Sequence, residues 1–310
     1  MTTFHILAPL LLLILLGLVL AKVRFLGAAF MADLNKLAFW IALPALLFRS
    51  ASHAETPGAQ TVSLFLLLIG VTLATAAVGW LASIVLGLPA ESHGTLAQSA
   101  FRGNLAYIGI PVLSYAFAGV EGGREAFATT VIVMTALMTF YNVFGVVVLQ
   151  ASLHRFSWSS LQGALRAIAT NPLLIAGLSG LAFGLTQTKL PLFVDRTLEA
   201  LGGAAVPIAL LCIGGNLASI QLGERLKGIA TAAVVKTFLA PALVGVAAPL
   251  LSLPVADLRI ALVLAACPTA ATAFVMVRQM GGDEPLASGS IVLSTILAGV
   301  SLPVVLWLTS

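Results

Sequence analysis

Ten long hydrophobic stretches run along the chain, separated by short connections that are polar or rich in Gly and Pro. They cover residues 4–21, 34–50, 61–87, 93–118, 126–150, 167–186, 197–219, 228–251, 257–279 and 286–308. A helix needs about 20 apolar residues to cross a bilayer, and backbone that meets lipid must satisfy its own hydrogen bonds. The pattern therefore predicts an all-α integral membrane protein with ten transmembrane helices.

The first and second halves of the chain share a weak internal repeat. The matching positions, all 163 residues apart, are Pro9 and Pro172, Gly17 and Gly180, and Pro44 and Pro207. Because each copy holds five spans, an odd number, the second copy must lie inverted in the membrane, as in many transporters. We predict a first five-helix repeat at 1–151, a cytoplasmic linker at 152–166 and a second, inverted repeat at 167–310.

Composition and charge narrow the class further. Hydrophobic residues make up 60% of the 310 residues, charged residues only 8%, and the mean hydropathy is +1.10; soluble chains carry about 25% charged residues. The net charge of +4 comes without any basic run and so does not suggest nucleic-acid binding; the expected surroundings are the lipid bilayer. Cys212 and Cys267 both lie in apolar stretches, so no disulfide framework is expected.

Lys and Arg near the span ends predict the orientation. With the N-terminus outside, eight of them fall on the cytoplasmic side and five on the other. The 152–166 connection is then cytoplasmic and both termini are outside. Lys22 and Arg24 follow the first stretch without a small-residue cleavage site, so we interpret this stretch as a retained span.

Prolines in the middle of two stretches predict broken helices. Pro111 lies in the fourth stretch and Pro268 in the ninth, which are equivalent members of the two repeats. Proline removes a helical hydrogen bond and disfavours helix geometry before it, so we expect breaks near Gly109–Pro111 and Pro268–Ala271 that cross each other. Such breaks expose helix N-termini, which attract anions. The alternative is that both prolines only kink packed helices.

Several short motifs resemble the auxin efflux carrier family, and the resemblance extends over essentially the whole chain. They are Leu34-Asn35-Lys36-Leu37 with the segment from Ala42 to Phe48, Asn104 with Gly109-Ile110-Pro111, and the segment from Cys267-Pro268 to Phe274-Val275. The family includes plant PIN carriers and bacterial permeases for malonate and malate. The resemblance implies crossed helices 4 and 9, a scaffold half with a moving half, and a place in the bacterial plasma (inner) membrane.

The candidate site gathers around the predicted crossing. The substrate-binding residues are Asn104, Gly109, Ile110, Pro111, Pro268, Thr269, Ala270 and Thr272, with Lys236 and Arg102 as supporting charges. The amide of Asn104 offers two donors and an acceptor at fixed geometry, which suits a carboxylate. Its alternative role is a packing bond between helices.

Two basic residues lie within the spans. Lys236 follows Lys227 by nine residues, hence about 13 Å deeper along a helix, and an ionisable residue at that depth is a functional candidate. It either supplies charge to the site or caps carbonyls and stabilises the fold. Arg102 is shallower, and it either extends to the cytoplasmic interface or attracts anions.

No acidic residue falls in the middle of a predicted span. This speaks against sodium/proton antiport, although carbonyls and hydroxyls, including those of Thr269 and Thr272, leave a cation site open. We predict no cofactor and no metal site. The four histidines lie near span ends or in connections, where solvation is expected.

These features predict a carrier of small organic anions, with a small carboxylate as the substrate. The alternative is a membrane receptor or scaffold that keeps the carrier fold without turnover. An enzyme is disfavoured because the sequence lacks G-x-S-x-G and H-E-x-x-H motifs. The sequence leaves the oligomeric state open, with a homodimer among the options.

Overall fold

The computed structural model describes residues 3–53, 58–153, 158–217 and 225–309. Within these ranges the secondary structure is helical, without a β-strand. The α-helices are α1 Thr3–Lys22, α2 Ala28–Leu37, α3 Leu43–Ser52, α4 Ala59–Val85, α5 Ala90–Phe101, α6 Ile110–Phe117, α7 Gly123–Ser152, α8 Trp158–Ala169, α9 Pro172–Leu185, α10 Leu192–Leu217, α11 Leu226–Val234, α12 Ala240–Ala247, α13 Val255–Ala266, α14 Ala271–Met280 and α15 Glu284–Leu308. Three π-helices, π1 Ala38–Ala42, π2 Leu105–Gly109 and π3 Val235–Leu239, and a 3₁₀-helix, Ala248–Leu251, complete the elements.

Six helical segments in the described ranges are long and apolar enough to cross a membrane. They are Ala29–Ser52, Ala59–Val85, Gly123–Ser152, Leu192–Gly215, Leu226–Leu251 and Glu284–Leu308. Shorter apolar helices cover Ala8–Lys22, Leu105–Phe117 and Pro172–Leu185. The all-α membrane architecture is therefore confirmed, whereas the count of ten spans stays a prediction.

The chain forms two compact units. The first contains Met1–Val62, Ala106–Ala136 and Ala169–Ser219; the second contains Ser63–Leu105, Leu137–Ile168 and Ile220–Ser310. Each unit combines segments from before and after the predicted linker at 152–166. The compact units are thus not the two sequence halves, and the inverted repeat stays a prediction about symmetry.

Close helix packing through small residues builds the first unit. Helix α1 lies against α10, and α3 lies against α9 and α10. A Cβ atom at Gly17 would overlap the backbone of Leu211, and one at Gly214 would overlap the backbone of Ile14. Glycine at these facing positions lets the two helices approach closely. In a bilayer, where lipid tails are as apolar as the helices, such close packing is what holds helices together.

A bidentate ion pair adds a polar link to the first unit. Arg49 at the end of α3 donates from Nε to Oδ1 of Asp195 at 2.8 Å and from Nη2 to Oδ2 at 3.1 Å. His53 hydrogen-bonds the carbonyl oxygen of Arg49 through Nδ1 at 2.7 Å. The pair joins α3 to the first turn of α10.

Helices α5, α11 and α15 pack together in the second unit. Their contact is centred on the fully buried Leu96, Ala232 and Leu286. Helix α13 packs against α12 and α15. A Cβ atom at Gly289 would overlap Ile229, so glycine again sets the distance between two helices.

Each π-helix precedes a proline. Pro44, Pro111 and Pro241 occupy the first turn of the α-helix that follows. The N–H of Leu43 donates to Ala38 and that of Ala240 to Val235, five residues back. Because proline lacks an N–H and its ring clashes with the carbonyl four residues earlier, a π-turn lets the chain continue as a helix through these positions.

Candidate functional site

Two non-helical segments of the second unit meet at one point. The first, Arg102–Asn104, follows α5 and is here named the fourth-stretch break; the second, Cys267–Ala270, joins α13 to α14 and is named the ninth-stretch break. Gly103 and Thr269 form an isolated antiparallel bridge. The N–H of Asn104 donates to the Pro268 carbonyl at 2.7 Å, and that of Ala270 donates to the Arg102 carbonyl at 2.9 Å. Backbone N–H and C=O groups that lack a helical partner in one break thus hydrogen-bond to groups of the other break.

Thr269 fixes the crossing to two neighbouring helices. Its side chain is fully buried, and Oγ1 donates to the Ser99 carbonyl at 2.7 Å. Its backbone N–H donates to Oγ of Ser294 on α15 at 2.9 Å. Both contacts satisfy polar groups that lipid would leave unpaired.

Lys236 lies beside the ninth-stretch break. It is part of π3, only 1% of it is exposed, and its Nζ donates to the carbonyl of Ala265 in the last turn of α13. A cation at a helix C-terminus interacts favourably with the helix dipole. A Cβ at Gly103 would lie 3.2 Å from Cε of Lys236, so a larger residue there would crowd the ammonium group.

Arg102 is buried against α7. It is 6% exposed; Nη1 donates to the Tyr141 carbonyl at 2.9 Å and Nη2 to Oδ1 of Asn142 at 2.5 Å. Its Nε donates to Oγ1 of Thr272 at 3.2 Å. Internal acceptors therefore hold the guanidinium, and both predicted roles of Arg102, extension to the membrane interface and attraction of anions, stay predictions.

Gly145 on α7 provides room for this arrangement. A Cβ there would lie 2.8 Å from Nε2 of Gln98, 3.1 Å from Sδ of Met276 and 3.3 Å from Nη1 of Arg102. A larger residue would displace the Gln98 side chain and crowd Met276 and the guanidinium. The absence of a side chain at this position therefore helps to set the geometry of the crossing.

The charged side chains at the crossing are cationic. Within the described ranges, neither Lys236 nor Arg102 makes an ion pair with an acidic side chain. Ala271 and Thr272, at the start of α14, are exposed, and the first N–H groups of a helix lack intrahelical acceptors. Two cations and a helix N-terminus together favour a negatively charged ligand.

The structure brings some of the predicted site residues together. Pro268, Thr269 and Ala270 are buried in the ninth-stretch break, Thr272 is exposed one turn on, and Asn104 is half-buried in the fourth-stretch break. The remaining three, Gly109, Ile110 and Pro111, belong to the first unit.

The break in the fourth stretch lies earlier than predicted. We expected it near Gly109–Pro111, but α5 ends at Phe101 and the helical path resumes with π2 at Leu105. The reason is that Pro111, in the first turn of α6 directly after π2, needs no break.

Sequence reasoning missed the residues that support the crossing. Ser99, Tyr141, Asn142 and Ser294 all provide acceptors to Arg102 or Thr269. Asn142 alone gave a usable signal, because a polar side chain in the middle of a long apolar helix is uncommon. Backbone carbonyls carry no sequence signal.

No cluster of His, Cys, Asp and Glu side chains that could hold a metal ion occurs among the described residues. The polar atoms at the crossing are amide, hydroxyl, guanidinium and ammonium groups. The arrangement suits binding of an anion by charge and hydrogen bonds.

Apolar helices around a pair of interrupted, crossed segments are typical of membrane transporters. Residues 2–306 match a family model described as membrane transport protein. The chain therefore belongs to this family, which is the auxin efflux carrier family that its motifs resemble.

Curated relatives of similar length also match. The chain is 27% identical over 307 residues to a "Putative malonate transporter" of Rhizobium meliloti (strain 1021), covering 96% of this chain and 92% of the relative. It is 25% identical over 299 residues to an uncharacterized transporter of Methanothermobacter thermautotrophicus, with 96% and 94% covered. An uncharacterized transporter of Methanocaldococcus jannaschii is 24% identical over 281 residues, with 88% and 87% covered.

Proposed function

We propose that this transporter carries small organic anions and binds a carboxylate at the crossing of the two breaks. The observation that carries the proposal is the pair of buried cations, Lys236 and Arg102, without an acidic partner in the described ranges. A buried charge needs compensation, and a substrate carboxylate supplies it.

The binding groups suggest a small dicarboxylate. Asn104 can offer amide donors, and the exposed first turn of α14 can offer backbone N–H groups. Two positive charges match a substrate with two negative ones. The relative named as a malonate transporter supports malonate as the first compound to test.

Transport proceeds by alternating access and needs no sodium ion, because Lys236 occupies the role of a bound cation. The inside-negative potential favours export of an anion by about 2.3 kcal/mol per charge per 100 mV. The chain acts in a bacterial plasma membrane as ten spans in a five-plus-five inverted repeat, with both termini outside. The charge bias and the repeat offset support these statements.

The test is malonate flux into liposomes that contain the purified protein, with sodium replaced by a large inert cation and the potential clamped. We expect flux that persists without sodium and changes with the potential. An absolute sodium requirement would overturn the cation role of Lys236. Binding without flux would favour a receptor that keeps the carrier fold.

Asn104→Ala should weaken malonate binding about tenfold or more. The amide is expected to donate to a carboxylate, and a hydrogen bond to a charged group is worth about 1.5–3 kcal/mol. Binding is measured by the rise in unfolding temperature with ligand. Asn104→Asp, which keeps the shape and adds a negative charge, should bind more weakly still. Equal affinity in all three proteins would remove Asn104 from the site.

Lys236→Met should abolish binding without unfolding the protein. The change removes the cost of a buried charge, which offsets the cost of leaving one carbonyl, that of Ala265, without this donor. Lys236→Arg should keep part of the activity, because the charge survives while its geometry changes. Wild-type binding by the methionine variant would restrict Lys236 to a structural role.

A further inference from the structure

A groove in the second unit shares no lining residue with the crossing. It has a volume of about 480 Å³ and lies between α12, α13 and α15. Its walls are largely apolar and include Phe238, Pro241, Leu258 and Val304. A Cβ at Gly245, which also lines the groove, would meet no atom within 4 Å. Next to Gly245, the helices are therefore not packed tightly and the groove is open.

Two lining residues of the groove face the outside of the unit, since Val304 is 48% exposed and Leu308 63%. Val246 and Leu250, which neighbour lining residues in the sequence, are 77% and 84% exposed. In a membrane transporter, such a surface at a helix end contacts acyl chains. Ser301 and Leu308 mark two points along the groove, and seven residues of helix separate them by about 10 Å. This length is a large part of the roughly 15 Å hydrocarbon depth of one leaflet.

A cation lies beside the groove. Arg259 follows the lining residue Leu258, and its Nε donates to Oγ1 of Thr309 at 3.2 Å. Its Nη2 donates to the carbonyl of Thr309. Arg259 makes no ion pair in the part of the chain that the structure describes. A guanidinium has five N–H donors, so these two contacts leave others for an anionic group.

We infer that this groove binds an anionic phospholipid, with one acyl chain between α12 and α15 and the phosphate on Arg259. Phosphate and guanidinium form strong, charge-assisted hydrogen bonds. Moving an acyl chain from bilayer to groove gains little hydrophobic free energy, because both surroundings are apolar. Selectivity for the lipid therefore depends on the charge at Arg259, and retention depends on the open volume at Gly245.

The test is native mass spectrometry of the full-length protein with added phosphatidylglycerol or phosphatidylcholine of matched chain length. We expect wild type to retain phosphatidylglycerol at least fivefold better. Arg259→Gln should remove this preference, and Arg259→Lys should retain much of it because the charge remains. Gly245→Leu should reduce binding of both lipids by filling the groove.

Gly299→Leu is the matched control, because Gly299 is an exposed glycine of α15 that does not line the groove and also has open space around it. It should bind both lipids like wild type. The inference is overturned if Arg259→Gln keeps the preference for phosphatidylglycerol while unfolding at the wild-type temperature. It is also overturned if Gly245→Leu binds as much lipid as Gly299→Leu, or if free glycerol phosphate displaces the lipid at equal concentration.

Discussion

The fourth-stretch and ninth-stretch breaks meet in one bridge but are built differently. The fourth-stretch break contains no proline; it has Gly103 at the contact and the buried guanidinium of Arg102 on one side. The ninth-stretch break contains Pro268, and the ammonium of Lys236 contacts the helix that precedes it. Side-chain bonds to neighbouring helices hold both breaks, through Arg102 in one and Thr269 in the other, but only the ninth-stretch break contains a residue that cannot continue the helical bonding.

The difference shows that proline alone does not decide where a membrane helix stops. Pro44, Pro111 and Pro241 all lie in helical paths that pass through a π-turn, whereas Pro268 lies in an interruption. At Pro268 the backbone has a partner outside its own helix, since the Pro268 carbonyl accepts from Asn104. At the other three prolines, a wider turn keeps the hydrogen bonds within the helical path.

Among the variants that test this contrast between the two breaks, loss of Arg102 should reduce stability the most. Arg102→Met removes the donor from two buried acceptors, on Tyr141 and Asn142, and from the exposed Thr272. An unsatisfied buried polar group costs about 1–3 kcal/mol, so we expect a loss of about 3–5 kcal/mol. Thermal unfolding of the purified protein in one detergent measures it.

Lys236→Met is the companion variant for the other break, and it should unfold within a few degrees of wild type for the reasons given above. If both variants lose similar stability, the two cations have equivalent structural roles and the contrast between the breaks fails. Arg102→Lys should fall in between, since a single ammonium cannot reach three acceptors that a planar guanidinium contacts.

The sequence predicts the helical membrane class because hydrophobic runs and charge depletion are direct consequences of the bilayer. It also identifies Pro268–Ala270, where proline and small residues coincide. The position of the fourth-stretch break could not be predicted. The π-turn that accommodates Pro111 depends on backbone hydrogen bonds, which residue types do not reveal. The supporting acceptors on Ser99 and Tyr141 are backbone carbonyls, which every residue has.

Substitution of two serines of α15 should change stability by a smaller amount, and only the serine that contacts the crossing should matter. Ser294 accepts from the N–H of Thr269, whereas the buried hydroxyl of Ser301 has no hydrogen-bond partner among the described residues. Ser294→Ala should cost about 1–2 kcal/mol, because it strands a buried donor. Ser301→Ala should be neutral or slightly stabilising. Equal unfolding temperatures for the two variants would mean that Thr269 does not depend on Ser294.

The smallest effect should come from the prolines themselves. Pro268→Ala restores an N–H that can donate to the carbonyl of Leu264, four residues earlier, and so lets α13 extend into the ninth-stretch break. It also loosens the unfolded chain, so we expect a loss of about 0.5–1 kcal/mol together with slower malonate flux. Pro111→Ala lies in a path that is already helical, and it should change flux little. The two variants should differ little in stability. The deciding measurement is therefore flux in liposomes, normalised to the amount of reconstituted protein. Equal flux in both would mean that the crossing forms without Pro268, held by the bridge between Gly103 and Thr269 and by the side-chain bonds of Arg102 and Thr269.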